Sequence, residues 1–109
     1  MMVLLFVYGS LRSGQPNHGC LAGCRFMGNA MTVPAYRIQD FGAFVGLMSG
    51  TLDVEGEVWE VRSHALAKLD YLEAVDAGVF KRTNVNLQSP FDDKTVQAYF
   101  YSYEAGLSC

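Results

Sequence analysis

The sequence predicts an α+β domain: a small, bent antiparallel or mixed β-barrel with short flanking helices. Three observations carry this. Short apolar runs recur along the chain and are broken by glycine or proline, the pattern of many short strands. One segment, beginning at Ser63, shows clear helical periodicity. The run at 56–62 sets Glu57, Trp59 and Val61 on one face and Val58, Glu60 and Arg62 on the other. Both faces are mixed, as in a barrel wall that other elements touch from two sides.

Taken in order, residues 3–8 form an apolar run and predict a central strand. Ser13-Gly14-Gln15-Pro16-Asn17 reads as a loop, with Asn17 placed to cap a short helix through Cys24. Residues 26–32, 35–40 and 44–49 read as short strands interrupted by Gly28, Pro34 and Gly42. After the strand at 56–62, Ser63 caps a helix of about ten residues. Strands follow at 79–88 and 95–103, with Pro90-Phe91-Asp92-Asp93-Lys94 as the turn between them.

The 109 residues are expected to form one domain spanning 1–109, enough for a single hydrophobic core. Half of the residues are hydrophobic and 17% are charged, which excludes a disordered chain. A net charge of −3 without a basic stripe argues against nucleic acid as a partner. No apolar run approaches the roughly 18 residues of a membrane-spanning helix, so no membrane partner is expected. The apolar start Met1–Val7 lacks a basic region and a small-residue cleavage site, and reads as a buried strand instead of a signal peptide.

Cys20, Cys24 and Cys109 make an odd count without paired spacing. That argues for free thiols in a reducing, cytoplasmic compartment. His18, Cys20 and Cys24 lie close in sequence but have no evident fourth ligand, so no metal and no cofactor is expected.

Two segments carry candidate chemistry. The first is Tyr8-Gly9-Ser10-Leu11-Arg12, where a strand runs into a glycine-containing loop. Backbone N–H groups of Gly9, Ser10 and Leu11 can converge there on a carboxylate or oxyanion. Gly9 is expected to take a conformation closed to residues with a Cβ, allowing close approach to a ligand. Tyr8 can close over the site and donate its hydroxyl. An ordinary strand-ending turn is the alternative. The second segment is Leu69-Asp70-Tyr71-Leu72-Glu73. At about 100° per residue, Glu73 falls between Leu66 and Leu69 on the apolar stripe, Asp70 at its border, and Ala67, Lys68 and Tyr71 on the opposite side. A carboxylate in an apolar wall has its proton affinity raised towards neutral pH, where it can both accept and donate a proton. The alternatives are exposure, or an ion pair with Lys81 or Arg82.

The runs "FVYGSLRSGQPNH", "GEVWEVRSHALAKLDYLE" and "FKR" resemble the γ-glutamyl cyclotransferase superfamily, in its branch of γ-glutamylamine cyclotransferases and bacterial relatives. The similarity is densest at Leu5–His18 and Gly50–Arg82. The resemblance implies a barrel-like sheet with a cavity at one end, and cofactor-free release of 5-oxoproline from a small γ-glutamyl substrate. It implies Glu73 as the catalytic acid/base and Tyr8, Gly9, Ser10 and Leu11 as the cradle for the γ-glutamyl group. Arg12, Asn17, His18 and Arg82 are expected in supporting roles. The chain departs from the family pattern at Ala74, at Phe80 where a tyrosine is common, and at Phe44-Val45-Gly46. These changes fall on the leaving-group side. A small-anion-binding module of the same fold, and action on a γ-glutamyl group carried by a protein, remain alternative expectations.

Overall fold

The computed structural model describes residues 2–9, 21, 23–42, 45–72 and 78–101. Within them the strands are β1 (Met2–Val7), β2 (Arg25–Met31), β3 (Tyr36–Asp40), β4 (Val45–Ser49), β5 (Glu55–Arg62), β6 (Phe80–Val85) and β7 (Val96–Tyr101). The helix α1 (Ser63–Leu72) follows β5 without a break. Each predicted strand is present within one to three residues of its expected ends. The predicted helix at Asn17 lies largely outside the described residues.

The strands form one mixed sheet in the order β2-β5-β1-β7-β4-β3, with β6 also on β7. The α+β expectation therefore holds, but the sheet is open and not a closed barrel. Among the described residues β2 and β3 stand at opposite ends of the path, with no ladder between them. The two mixed faces of β5 have a different cause: the sheet carries a core on each side. On one face Leu5 and Val7 of β1, Trp59 and Val61 of β5, and Phe80 and Tyr99 pack with Leu66 and Leu69 of α1. On the other, Phe6, Val58, Val96 and Ala98 pack with Tyr36, Leu47, Leu87 and Phe91. Alternation along each strand feeds both cores at once. Apolar residues at adjacent positions of β1 are thus buried on opposite faces, as in a strand covered on both sides.

The helical wheel is met on α1 at its described side chains. Leu66 and Leu69 are buried, Ala67 and Lys68 are exposed, and Tyr71 is 86% exposed. The β6–β7 turn does more than reverse the chain. Its Phe91 is buried in the second core, where its ring lies 3.5 Å from the place a Cβ on Gly28 would occupy. Gly28 is at φ +145, and the β2–β5 register shifts there between Phe26 and Gly28. This bulge makes room for the Phe91 ring. Trp59 is nearly buried, meets Phe26 edge-on and donates its indole N–H to Glu57 at 3.1 Å.

The strand that positions the site is β7. One of its edges pairs with β6 throughout, Phe80 opposite Tyr101 to Val85 opposite Val96. Along the other edge β1 runs parallel at Leu4–Phe6, and further on β4 takes over at Leu47 opposite Phe100. Both are parallel to β7, so β1 peels away where β4 enters. In open sheets with parallel strands, a crevice at the carboxyl ends of diverging strands is the usual place for a ligand.

Candidate active site

Tyr8 stands at this split, directly after β1. Its hydroxyl donates to the Tyr99 carbonyl of β7 and accepts the Leu47 N–H of β4 at 3.1 Å. The side chain thereby closes the fork between β7 and β4. The hydroxyl proton is directed to a β7 carbonyl.

Gly9 corrects another expectation. It does not take a positive φ; the described glycines that do are Gly23, Gly28, Gly42 and Gly78. A Cβ on Gly9 would instead come within 3.2 Å of a Val45 methyl. Small size against β4, and not a forbidden backbone, is what the position demands. A single methyl at Gly9 can be met by a small shift of Val45, whereas a β-branched side chain cannot. Gly9→Ala is therefore expected to bind substrate nearly as the wild type does, and Gly9→Val to lose binding. Ser10→Ala should stay close to wild type if backbone N–H groups form the cradle. Calorimetric titration of the three variants checks this, and a Ser10→Ala loss equal to that of Gly9→Val would assign the contact to the hydroxyl. Ser10, Leu11, Arg12, Asn17, His18 and Glu73 lie outside the described residues.

Arg82 is placed, and among the described residues its carboxylate partner is Asp70. Its Nε and Nη2 donate to the two carboxylate oxygens of Asp70 at 2.9 and 3.1 Å. Its Nη1 donates to the Gln97 amide oxygen at 2.5 Å. The Tyr99 hydroxyl adds a bond to Asp70 Oδ1 at 2.6 Å. Register explains the convergence. Arg82 and Tyr99 are directly opposite across β6 and β7, and their side chains stand on the face that α1 covers. Asp70, at the border of the helical stripe, meets both.

Sequence reasoning named neither Asp70, Gln97 nor Tyr99 as site residues. The available signal was Asp70's border position on the wheel, with an arginine on the next strand.

Desolvation raises the Asp70 carboxyl, but the hydrogen bonds from Arg82 and Tyr99 and the Arg82 charge outweigh it, so the net shift is downward. Arg82 is pushed up, chiefly by its hydrogen bond to Asp70. A carboxyl depressed in the folded state stabilises the fold above its unfolded value and ceases to do so as pH falls through the folded value. Asp70→Asn is accordingly expected to lower stability at neutral pH by about 1 kcal/mol or less, with the difference vanishing in acid. Denaturant titrations at neutral pH and below the ordinary carboxyl range check it. A gap that persists in acid would contradict the assignment.

Cys24 is half-buried, and desolvation pushes its thiol up against the opposing charge of Arg62. That is the reverse of what an activated thiolate requires. Among the described residues no three His, Cys, Asp or Glu side chains gather into a possible metal site. His18 and Cys20 are outside them. No helix among the described residues is long and apolar enough to cross a membrane.

The bent mixed sheet, split at Tyr8 and covered on one face by α1, is the fold of the γ-glutamyl cyclotransferase class. A solved AIG2-like protein from Mus musculus superposes with a TM-score of 0.76 at 27% identity, over 94% of this chain and 77% of that one. Residues 5–108 match the family model described as gamma-glutamyl cyclotransferase, AIG2-like, and the chain belongs to that family. A putative gamma-glutamylcyclotransferase of Vibrio cholerae is 39% identical over 99 residues, 91% of this chain and 84% of the relative. The human gamma-glutamylaminecyclotransferase is 33% identical over 97 residues, 80% of this chain and 63% of the relative. The protein is an enzyme of this family, with cyclotransferase activity as its general chemistry.

Proposed function

We propose that the enzyme cleaves a small γ-glutamyl amide by attack of the substrate's own α-amine, releasing 5-oxoproline and a free amine. The observation that carries the reading is the placement of Tyr99. Its carbonyl receives the Tyr8 hydroxyl, and its own hydroxyl binds Asp70 near the end of α1. The cradle loop and the helix that leads into Glu73 are thus tied to one residue of β7, although about sixty residues separate them. They also share a core, since Leu5 and Val7 pack with Leu66 and Leu69.

In this reading backbone N–H groups at Gly9–Leu11 hold the γ-glutamyl moiety. Glu73 removes a proton from the α-amine, which attacks the side-chain amide carbonyl. The new C–N bond closes the five-membered ring. The old C–N bond then breaks, and Glu73 returns the proton to the departing amine. The nucleophile is tethered to its target, and oriented intramolecular attack reaches effective molarities of about 10⁵–10⁸ M. Positioning therefore supplies much of the rate. The reading requires no nucleic acid and no membrane. The free Cys24 thiol supports a reducing compartment such as the cytoplasm.

The absence of a hydroxyl at position 80 makes an apolar leaving group the first to test. Phe80, at the position where the family often has tyrosine, is buried edge-on to Tyr101 at 5.8 Å, and the Tyr101 ring lies tilted against Phe41 with centroids 4.4 Å apart. A panel of γ-glutamyl amino acids, amines and isopeptides, followed for 5-oxoproline, tests the proposal. Ring closure on at least one small γ-glutamyl compound is expected. Binding without 5-oxoproline across the panel would overturn it in favour of a binding module.

A further inference from the structure

Asp70 lies three residues before Glu73 and accepts three hydrogen bonds, two from Arg82 and one from Tyr99. The donors come from adjacent strands, and Gln97 of β7 holds the remaining arm of the guanidinium. The Arg82 and Asp70 side chains are still 25% and 27% exposed. An ion pair so open to solvent contributes about 0.2–1 kcal/mol to stability. What it supplies is direction, because a guanidinium–carboxylate fork fixes both distance and angle. Tyr99 is 3% exposed, so its ring is held by the core. Through its carbonyl the same residue also receives the Tyr8 hydroxyl.

We propose that Tyr99 and Asp70 are positioning residues, the link Tyr8–Tyr99–Asp70 fixing the end of α1, and with it the base Glu73, relative to the Tyr8–Leu11 cradle. Neither residue touches substrate in this account. The inference rests on the cyclotransferase reading for its catalytic consequence. Its structural half, that Asp70 anchors the end of α1, stands independently.

The test uses Tyr99→Phe, Asp70→Ala, Asp70→Asn and the Tyr99→Phe/Asp70→Ala double variant of the full chain. The probes are γ-L-glutamyl-L-alanine and γ-L-glutamyl-n-butylamide. Misplacing a reacting group by about an ångström costs about 100-fold, so Tyr99→Phe and Asp70→Ala are each expected to lower kcat by about 10–100-fold with KM within about threefold. The double variant should fall little below the worse single one, because both cut the same link. Asp70→Asn keeps an acceptor for Tyr99 and should recover part of the rate. In hydrogen exchange, the peptide covering the end of α1 should open at least about tenfold faster in Asp70→Ala, with β5 peptides unchanged.

Wild-type kcat in folded Tyr99→Phe and Asp70→Ala, beside an inactive Glu73→Gln, would overturn the inference and leave the cyclotransferase reading intact. If Glu73→Gln is active, Glu73 is not the base and the catalytic half of the inference falls with it; if the wild type releases 5-oxoproline from neither probe nor any other compound of the panel, the cyclotransferase reading itself fails. Exchange then decides the anchor alone, and unchanged exchange at the end of α1 overturns it.

Discussion

Glu73→Gln is expected to remove turnover while leaving the fold and substrate affinity close to wild type. The amide is nearly isosteric with the carboxyl but cannot take a proton from the α-amine or return one to the leaving amine. A general acid–base group contributes about 10²–10⁴-fold, and here one group serves both steps, so a loss of at least about 10³-fold is expected. Binding should persist, because the cradle is assigned to backbone groups around Gly9. Measuring 5-oxoproline release together with calorimetric affinity for the same γ-glutamyl compound separates the two effects. A folded Glu73→Gln protein that keeps most of its turnover would remove Glu73 as the base. Loss of affinity in parallel with turnover would make it a binding residue.

The largest loss of stability is expected at Gly56→Ala. A Cβ at this position would collide with the Val7 carbonyl and come within 2.6 Å of the Phe6 ring. Neither neighbour can yield cheaply. The Val7 carbonyl is backbone in the β1–β5 ladder, and Phe6 is fully buried. Overpacking of this kind costs up to about 3 kcal/mol, occasionally more. In a chain of this size that corresponds to a fall in melting temperature on the order of 10–20 °C. Gly9→Ala is the natural comparison, since among the described residues its new methyl meets a Val45 side chain at 3.2 Å and nothing else, and less than about 1 kcal/mol is expected. Thermal unfolding of both variants checks the contrast. Equal melting temperatures for Gly56→Ala and wild type would mean that β5 can move off β1. Because Val7 precedes Tyr8, a folded Gly56→Ala protein should also bind substrate less tightly.

Legibility followed the range of the interactions. The strands and the stripe of α1 were legible because they depend on neighbours within a few residues. Leu66 and Leu69 are buried and Tyr71 is exposed, as the wheel requires. What the sequence did not disclose depends on register between distant strands. Asp70 meets Arg82 and Tyr99 only because those two face each other across β6 and β7. No periodicity in either segment encodes that pairing. The mixed faces of β5 were read as a barrel wall, whereas the same alternation serves an open sheet with a core on each side. Gly9 was read through backbone freedom, the commonest reason for a glycine, when its reason is a methyl group on β4. For the proposed site, the Tyr8-Gly9-Ser10-Leu11 and Leu69–Glu73 motifs stand out in the sequence, whereas the Tyr99 side chain that joins Tyr8 to Asp70 does not.

The arrangement around β7 also bears on how the chain reaches this structure. In chain order β7 is the latest of the described strands, yet it is the strand on which β1, β4 and β6 all pair. Apart from β7, β2, β5 and β1 make one paired set and β3 with β4 another. Two isolated bridges lie outside the named strands, Thr32 after β2 with Leu87 after β6, and Tyr36 of β3 with Leu52 in the β4–β5 connection. Each ladder has an unsatisfied edge until Val96–Tyr101 arrives. Pairing β1 with β7 also closes a loop of roughly ninety residues, the kind of contact that makes folding slow. Without β7 the sheet falls into three unconnected parts, β2-β5-β1, β3-β4 and the lone β6, so its completion waits on one strand. The edge of β1 that β7 covers is, whenever β7 is undocked, an unpaired strand edge open to mispairing with another chain.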